Sequence, residues 1–205
     1  MNYDRKQIRI LHTSDIHLGE YGTANNCEFD GRAHRALKAM VDFSIQAKTD
    51  LVIIAGDLFD HNRVDDMTLE FALFELCRAA VPVLILPGNH DCLVSDSVYR
   101  RVCFSKLAPY VRVFAAPEGE KYSFPDLDLA IWGKPIVSYG GDIRPLADTP
   151  PRGQEKWQIA VAHGYYVGSQ PPSLDSFQIN EMEILTSHRD YIALGHVPVF
   201  RQVCN

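Results

Sequence analysis

The stretch Leu51-Val52-Ile53-Ile54-Ala55-Gly56-Asp57-Leu58-Phe59-Asp60 is a five-residue apolar run, a glycine, and two carboxylates three positions apart. A run this short and aliphatic, stopped by glycine, reads as a strand buried on both faces. Asp57 then stands just past its carboxyl end. A carboxylate at the end of a buried strand is costly unless it is hydrogen-bonded or held on a metal. The glycine before it lets the backbone approach a neighbour closely.

Outward from this run the pattern alternates. On its amino side, Gln7 to Thr13 reads as a strand. Asp30 to Ala47 has apolar residues at Ala33, Leu37, Met40, Val41 and Ile45, a helical period. On its carboxyl side, Asp65 to Ala80 repeats that period with Met67, Phe71, Phe74 and Leu76. Pro82 to Leu86 is a second short buried strand, and Ser95 to Leu107 is expected to be a third helix. Strands alternating with helices of this length predict βαβ units and a sheet covered on both faces. Beyond residue 110 the pattern changes. Val111 to Ala115, Lys121 to Phe124, Leu127 to Trp132, Gln158 to Ala162 and Tyr191 to Leu194 are strand-like. Tyr139 to Gly153, rich in Gly and Pro, is expected to be a long surface loop. Asn180-Glu181-Met182-Glu183 has the offset of a capping box opening a short helix. The expectation is one mixed α/β domain over residues 1–205, with a second sheet built from the later strands.

The same strand-end chemistry recurs along the chain. Ser14-Asp15-Ile16-His17 follows the first strand, Gly88-Asn89-His90-Asp91 follows Pro82 to Leu86, and His163-Gly164 and Gly195-His196 follow later strands. In open α/β sheets ligands collect at that edge. Carboxylates mixed with imidazoles suit Zn, Mn or Fe, whereas oxygen alone suits Mg or Ca. Asp15 and His17 are two apart, so in extended chain they point to one side and both grip one ion. Asp57 has oxygens for two ions and Asn89 offers a neutral oxygen. Two ions ~3.5–4 Å apart clamp an in-line phosphoryl displacement.

Composition bounds the partners. The 205 residues carry 20 Lys+Arg against 26 Asp+Glu, a net charge of -6, with 46% hydrophobic residues. Disorder, collagen and disulfide scaffolds are excluded. Cys27, Cys77, Cys92, Cys103 and Cys204 are odd in number, with no Cys-x-x-Cys pair, so each is expected to be a small buried apolar residue in a reducing compartment. No apolar run approaches the ~20 residues that span a bilayer. Met1 to Lys6 leads into a strand pattern without a signal-like apolar stretch, so the expectation is a cytoplasmic protein without membrane contact. Arg100-Arg101 and Arg5-Lys6 read as solvated surface. This scatter argues against a stand-alone DNA-binding module but leaves a nucleic-acid substrate open.

Taken together, Asp15-x-His17, Gly56-Asp57, Gly88-Asn89-His90-Asp91, His163 and Gly195-His196 resemble the motif set of the calcineurin-like metallophosphoesterase superfamily. Leu11 to Gly19 and Gly56 to Asp60 are most similar to its DNA repair exonuclease (SbcD-like) branch. The resemblance covers essentially the whole chain. It implies a four-layer α-β-β-α sandwich and a metal-dependent phosphoesterase acting on phosphomono- or phosphodiesters, DNA among them, by attack of a metal-bridging hydroxide. It implies one divalent metal on Asp15, His17 and Asp57 and a second on Asp57, Asn89, His163 and His196. Manganese is the expected ion, with Fe, Zn or Mg as alternatives. His90 matches the family's catalytic histidine, which stabilises the developing charge and protonates the leaving oxygen, and Asp91 matches the residue that orients it.

Two departures matter. The family's last motif is Gly-His-x-His, and here Pro198 stands where the second His would complete the first metal site. The first site is therefore expected to be weak. The chain also stops at Asn205, soon after that motif, so a fragment or a trimmed second sheet is expected. Both features favour the alternative of a non-catalytic protein-interaction module on the same fold, although no protein partner is indicated; the His90-Asp91 pair favours the enzyme. Among the other histidines, His34 reads as helix surface, His12 as a satisfied group in a strand, and His61 and His188 as loop residues, with His61 at the site edge. Tyr165 and Tyr166 read as packing near His163.

Overall fold

The computed structural model describes residues 7–20, 31–140, 143–170 and 177–203. Cys27, Cys204, Asp30, Met1 to Lys6 and Asn205 lie outside them. The first half alternates as expected: β1 (Ile10–Thr13), α1 (Arg32–Ala47), β2 (Leu51–Ala55), α2 (Asp66–Arg78), β3 (Val83–Leu86), α3 (Val98–Arg101), α4 (Phe104–Leu107) and β4 (Val111–Val113). These strands form an all-parallel sheet in the order β1-β2-β3-β4. The second half supplies β5 (Glu120–Phe124), β6 (Leu129–Gly133), β7 (Trp157–His163), β8 (Tyr165–Gly168), β9 (Gln178–Asn180), α5 (Glu181–Thr186) and β10 (Tyr191–Gly195). A second sheet runs β10-β7-β6-β5, antiparallel only between β5 and β6.

The period-two alternation of strand side chains divides the core into layers. Val52, Ile54, Val83 and Ile85 pack with Leu37, Val41, Leu69 and Leu76 of the helices. Their neighbours Leu51, Ile53, Leu84 and Leu86 face the other way, against Leu129, Ile131, Ile159, Val161 and Ala193 of the second sheet. The outer side of that sheet buries Trp132, Ala160 and Ala162 beneath Leu146, Ile179 and Ile184. These are the four layers of an α-β-β-α sandwich. The outermost is thin, since its helix α5 has six residues. The expected capping box is present there, with Asn180 Oδ1 accepting from Glu183 N–H and Glu183 Oε2 accepting from Asn180 N–H.

Several expectations are corrected. In α2 the buried stripe is Leu69, Ala72, Leu73 and Leu76. Met67 and Phe74 lie opposite it and are 56% and 65% exposed, as is Ile45 of α1 at 47%. The helix expected over Ser95 to Leu107 is broken at Val102, which is extended (φ -138°, ψ 157°). The break lets Tyr99 and Phe104 pack on each other, ring centroids 5.5 Å apart, while Tyr99 reaches Asp91. Of the cysteines, Cys92 is buried but Cys103 is exposed. The β8–β9 ladder was not legible in the sequence. Its strands are four and three residues long, and long-range bonds such as Tyr165 N–H to the Phe177 carbonyl (2.8 Å) set it up.

Candidate metal centre at the carboxyl edges of the two sheets

Beyond β1 and β2 the chains stay paired while they turn. Asp15 N–H donates to the Gly56 carbonyl (3.0 Å), both Ile16 and His17 N–H to that of Asp57, and Leu18 N–H to that of Leu58. Asp15, His17, Asp57 and His196 all have positive φ (55°, 54°, 54° and 92°). Asp15 and His17 therefore reach one side through left-handed turns, not through the extended chain the sequence suggested. Non-glycine residues in this region cost of order 1–2 kcal/mol each and concentrate at functional sites. Two glycines permit the crowding. A Cβ at Gly56 (φ +98°) would lie 1.9 Å from His163 Nδ1, and one at Gly195 would lie 1.8 Å from the Ala55 carbonyl oxygen. Side chains there would push the two sheet edges apart.

The side chains converge on Asp57. Its Oδ2 lies 3.1 Å from His163 Nε2 and 4.0 Å from His17 Nε2. Its Oδ1 accepts from His90 N–H (3.0 Å). On one side, Asn89 Oδ1 is 2.8 Å from His163 Nε2 and 2.9 Å from His196 Nδ1, and the two imidazole nitrogens are 3.2 Å apart. On the other, His17 Nε2 is 3.9 Å from Asp15 Oδ1. Asp15 Oδ2 is held by Ser14 Oγ and by His196 N–H (3.0 Å). Asp57, His163 and His196 form one cluster able to hold a cation, and Asp15, His17 and Asp57 another, sharing Asp57.

The donor set fits a cation. His163 Nδ1 is 2.9 Å from the Ala55 carbonyl, which accepts and so fixes the proton on Nδ1. In the neutral ring Nε2 then turns a lone pair toward the Asp57 carboxylate and the Asn89 oxygen. A proton satisfies one of these contacts, whereas a cation satisfies all of them. His17 is oriented likewise: its Nδ1 donates to Asp60 Oδ1 (2.9 Å), which leaves Nε2 between Asp15 and Asp57. Such outer carboxylates fix the tautomer and raise ligand basicity. The electrostatics favour positive charge at this point, carried by a metal ion or by a proton on His163 Nε2. Burial opposes protonation of His163, but the hydrogen bond and charge of Asp57 outweigh it and raise His163 above its ordinary value. Burial would raise Asp57, and the same pairing holds it below the usual carboxylate range. Burial, then the neighbouring His163, lowers His196.

One expected pairing is absent. Asp91 does not face the His90 ring. It is fully buried, accepting from Gly88 N–H (2.7 Å), Phe59 N–H (3.1 Å) and Tyr99 O–H (2.5 Å). Burial and the charge of Asp57 push its carboxyl up to about 6. Asp91 therefore braces the loop that carries Asn89 and His90. The group that meets His90 is Asp60: its carbonyl lies 2.9 Å, and its Oδ1 3.6 Å, from His90 Nδ1. Asp60 was within the quoted motif, but nothing in its spacing showed that it serves both His17 and His90. Tyr99 carried no signal at all.

The remaining expectations divide. Tyr165 stacks on His196 (centroids 5.7 Å, planes 25° apart), and Phe177, not foreseen, lies 5.7 Å from the same ring. His12 is half-buried, with Nδ1 2.9 Å from Tyr191 Oη. His34 is half-buried against Phe71, not open surface. Pro198 is exposed beyond His196. Among the described residues, no helix is long and apolar enough to cross a membrane.

Comparison with known proteins gives the same picture. Residues 8–200 match the calcineurin-like phosphoesterase family. The chain is 27% identical over 201 residues to the DNA double-strand break repair protein Mre11 of Saccharolobus solfataricus, covering 93% of this chain and 49% of that protein. It is 29% identical over 198 residues to the protein of the same name from Nanoarchaeum equitans, covering 91% and 48%. The chain thus spans about half the length of these relatives. The crystal structure of TT1561 of Thermus thermophilus superposes with a TM-score of 0.55 at 14% identity, covering 92% of this chain and 81% of that one, a likeness of fold.

Proposed function

The chain belongs to the calcineurin-like phosphoesterase family, and on that premise we propose that it is a metal-dependent hydrolase of phosphate esters, with a DNA phosphodiester as its substrate. The observation that carries this reading is the convergence of His163 Nε2, Asn89 Oδ1 and His196 Nδ1 beside Asp57 Oδ2, with His17 and Asp15 on the far side. In it, Asp57, Asn89, His163 and His196 hold one divalent cation. Asp15, His17 and the shared Asp57 hold the other, manganese being the expected ion. Two such cations supply an acidified water and neutralise charge on the phosphoryl oxygens. The protein's own residues do the rest. Asp60 fixes the rings of His17 and His90 through their Nδ1 atoms. His90, 44% exposed, takes up and gives a proton at Nε2, toward the leaving oxygen. Asp91 and Tyr99 keep the loop beneath it rigid. We read the chain as one catalytic domain acting in the cytoplasm.

The test is hydrolysis of bis-p-nitrophenyl phosphate and of single- and double-stranded DNA. Activity should vanish with chelator and return with Mn. Hydrolysis that persists after exhaustive dialysis against EDTA would overturn the metal role. Its complete absence with Mn, Mg, Zn and Fe would favour a non-catalytic module on the same fold.

A further inference from the structure

We propose that Tyr139 is a stacking platform for the nucleobase on the leaving-group side of the scissile phosphate; this rests on the phosphodiesterase reading above. Tyr139 is 63% exposed, yet its hydroxyl is anchored in the interior. Asn62 Nδ2 donates to Tyr139 Oη (2.9 Å) and to the Cys92 carbonyl (2.9 Å), while Asn62 Oδ1 accepts from Val98 N–H (2.8 Å). Asn62 is only 4% exposed, so it is a fixed post. The backbone leading to Tyr139 is pinned to both ends of the catalytic loop. Ile136 N–H donates to the Pro87 carbonyl (3.1 Å), and Leu93 N–H to the Ile136 carbonyl (2.7 Å).

Between those two ends lie Asn89 and His90. Asn62 itself is two residues from Asp60, whose carbonyl holds the His90 ring. Tyr139 is thus tied, through Asn62 and Ile136, to both supports of His90. That is the histidine assigned to the leaving oxygen. A ring held at its hydroxyl end, with its body in solvent, has little freedom left to lose on binding. Tyrosine gives large rigid contact area at low entropic cost. A nucleobase stacks on such a face whatever its identity, so the platform predicts a preference for a base on the leaving side without a preference among bases.

The experiment measures KM and kcat in Mn for two dinucleoside phosphates. One has thymine on both sides; in the other a tetrahydrofuran residue replaces the leaving-side nucleoside. Tyr139→Ala is expected to raise KM for the first about 5- to 150-fold, the equivalent of about 1–3 kcal/mol of base stacking. It should leave KM for the abasic substrate near that of the unmodified protein. Tyr139→Phe, which keeps the ring, should raise KM less than Tyr139→Ala. Both variants leave Asn62 Nδ2 without the hydroxyl, so both urea midpoints should fall, and the difference in KM between them isolates the ring. An equal rise for both substrates, or none for the dithymidine compound, would overturn the proposal. If bis-p-nitrophenyl phosphate is cleaved but base-bearing and abasic substrates have equal KM, the platform fails alone. If no phosphodiester is cleaved, the phosphodiesterase reading fails, and the platform with it.

Discussion

Replacing Gly56 by alanine should damage the fold and the metal centre together. The new Cβ would lie 1.9 Å from His163 Nδ1, 2.5 Å from its Cγ and 2.7 Å from its Cε1. Ordinary contact begins near 3.4 Å, so the ring must retreat by more than an ångström. His163 is wholly buried at the end of β7, paired there with Gly195 of β10, and has little room to do so. Its retreat breaks the 2.9 Å bond from Nδ1 to the Ala55 carbonyl, at a cost of about 1–3 kcal/mol if the oxygen stays dry. Holding alanine at φ +98° adds about 1–2 kcal/mol. The total, roughly 2–5 kcal/mol, is a large share of the 5–15 kcal/mol typical of a domain. The same movement carries Nε2 away from Asp57 and Asn89, so metal affinity should fall as well. Gly140→Ala is the control, because nothing lies within 4 Å of its Cβ position. Urea unfolding and calorimetric titration with Mn, on both variants, make the comparison. If Gly56→Ala unfolds at the midpoint of Gly140→Ala and binds Mn unchanged, the packing of His163 against Gly56 is not as described.

Three further outcomes are expected. Asp91→Ala removes three buried hydrogen bonds and should cost about 3 kcal/mol of stability; a large loss of kcat at an unchanged urea midpoint would restore the orienting role first expected of it. Titration of metal-free protein with Mn should show one tight site, at Asp57-Asn89-His163-His196, and one weaker, and Pro198→His should tighten the weaker; two equally tight sites in the unmodified protein would show that another group replaces the missing imidazole. His12, lowered mainly by burial, stays neutral in the fold while the unfolded chain takes up its proton first. Its contribution is therefore complete above pH 6.5 and is lost as pH falls through that value toward the folded one. His12→Gln should lose less stability than the unmodified protein between pH 7.5 and pH 5, and parallel urea midpoints across that range would count against it.

The sequence by itself determined the layers and pointed to the residues that gather at the sheet edges. Leu51 to Ala55 and Val83 to Leu86 are apolar at every position, which requires cover on both faces. Residues just past parallel strands of one sheet share an edge, because such strands end on the same side; that the edges of the two sheets meet was set by their packing. Asp15, His17, Asp57, Asn89, His90, His163 and His196 were legible for that reason, each standing next to a strand whose pattern is local. Tertiary structure alone decided who touches whom. Asp91 and Asp60 are both acidic residues near His90 in sequence or motif, and no spacing rule separates them. The choice was made by Tyr99, eight residues beyond Asp91, which claims that carboxylate with a buried hydroxyl once the helix expected over Ser95 to Leu107 breaks at Val102. The left-handed turns at Asp15, His17 and Asp57 were likewise invisible, because they are held by bonds between the segments after β1 and β2, some forty residues apart, and not by any preference of the residues themselves.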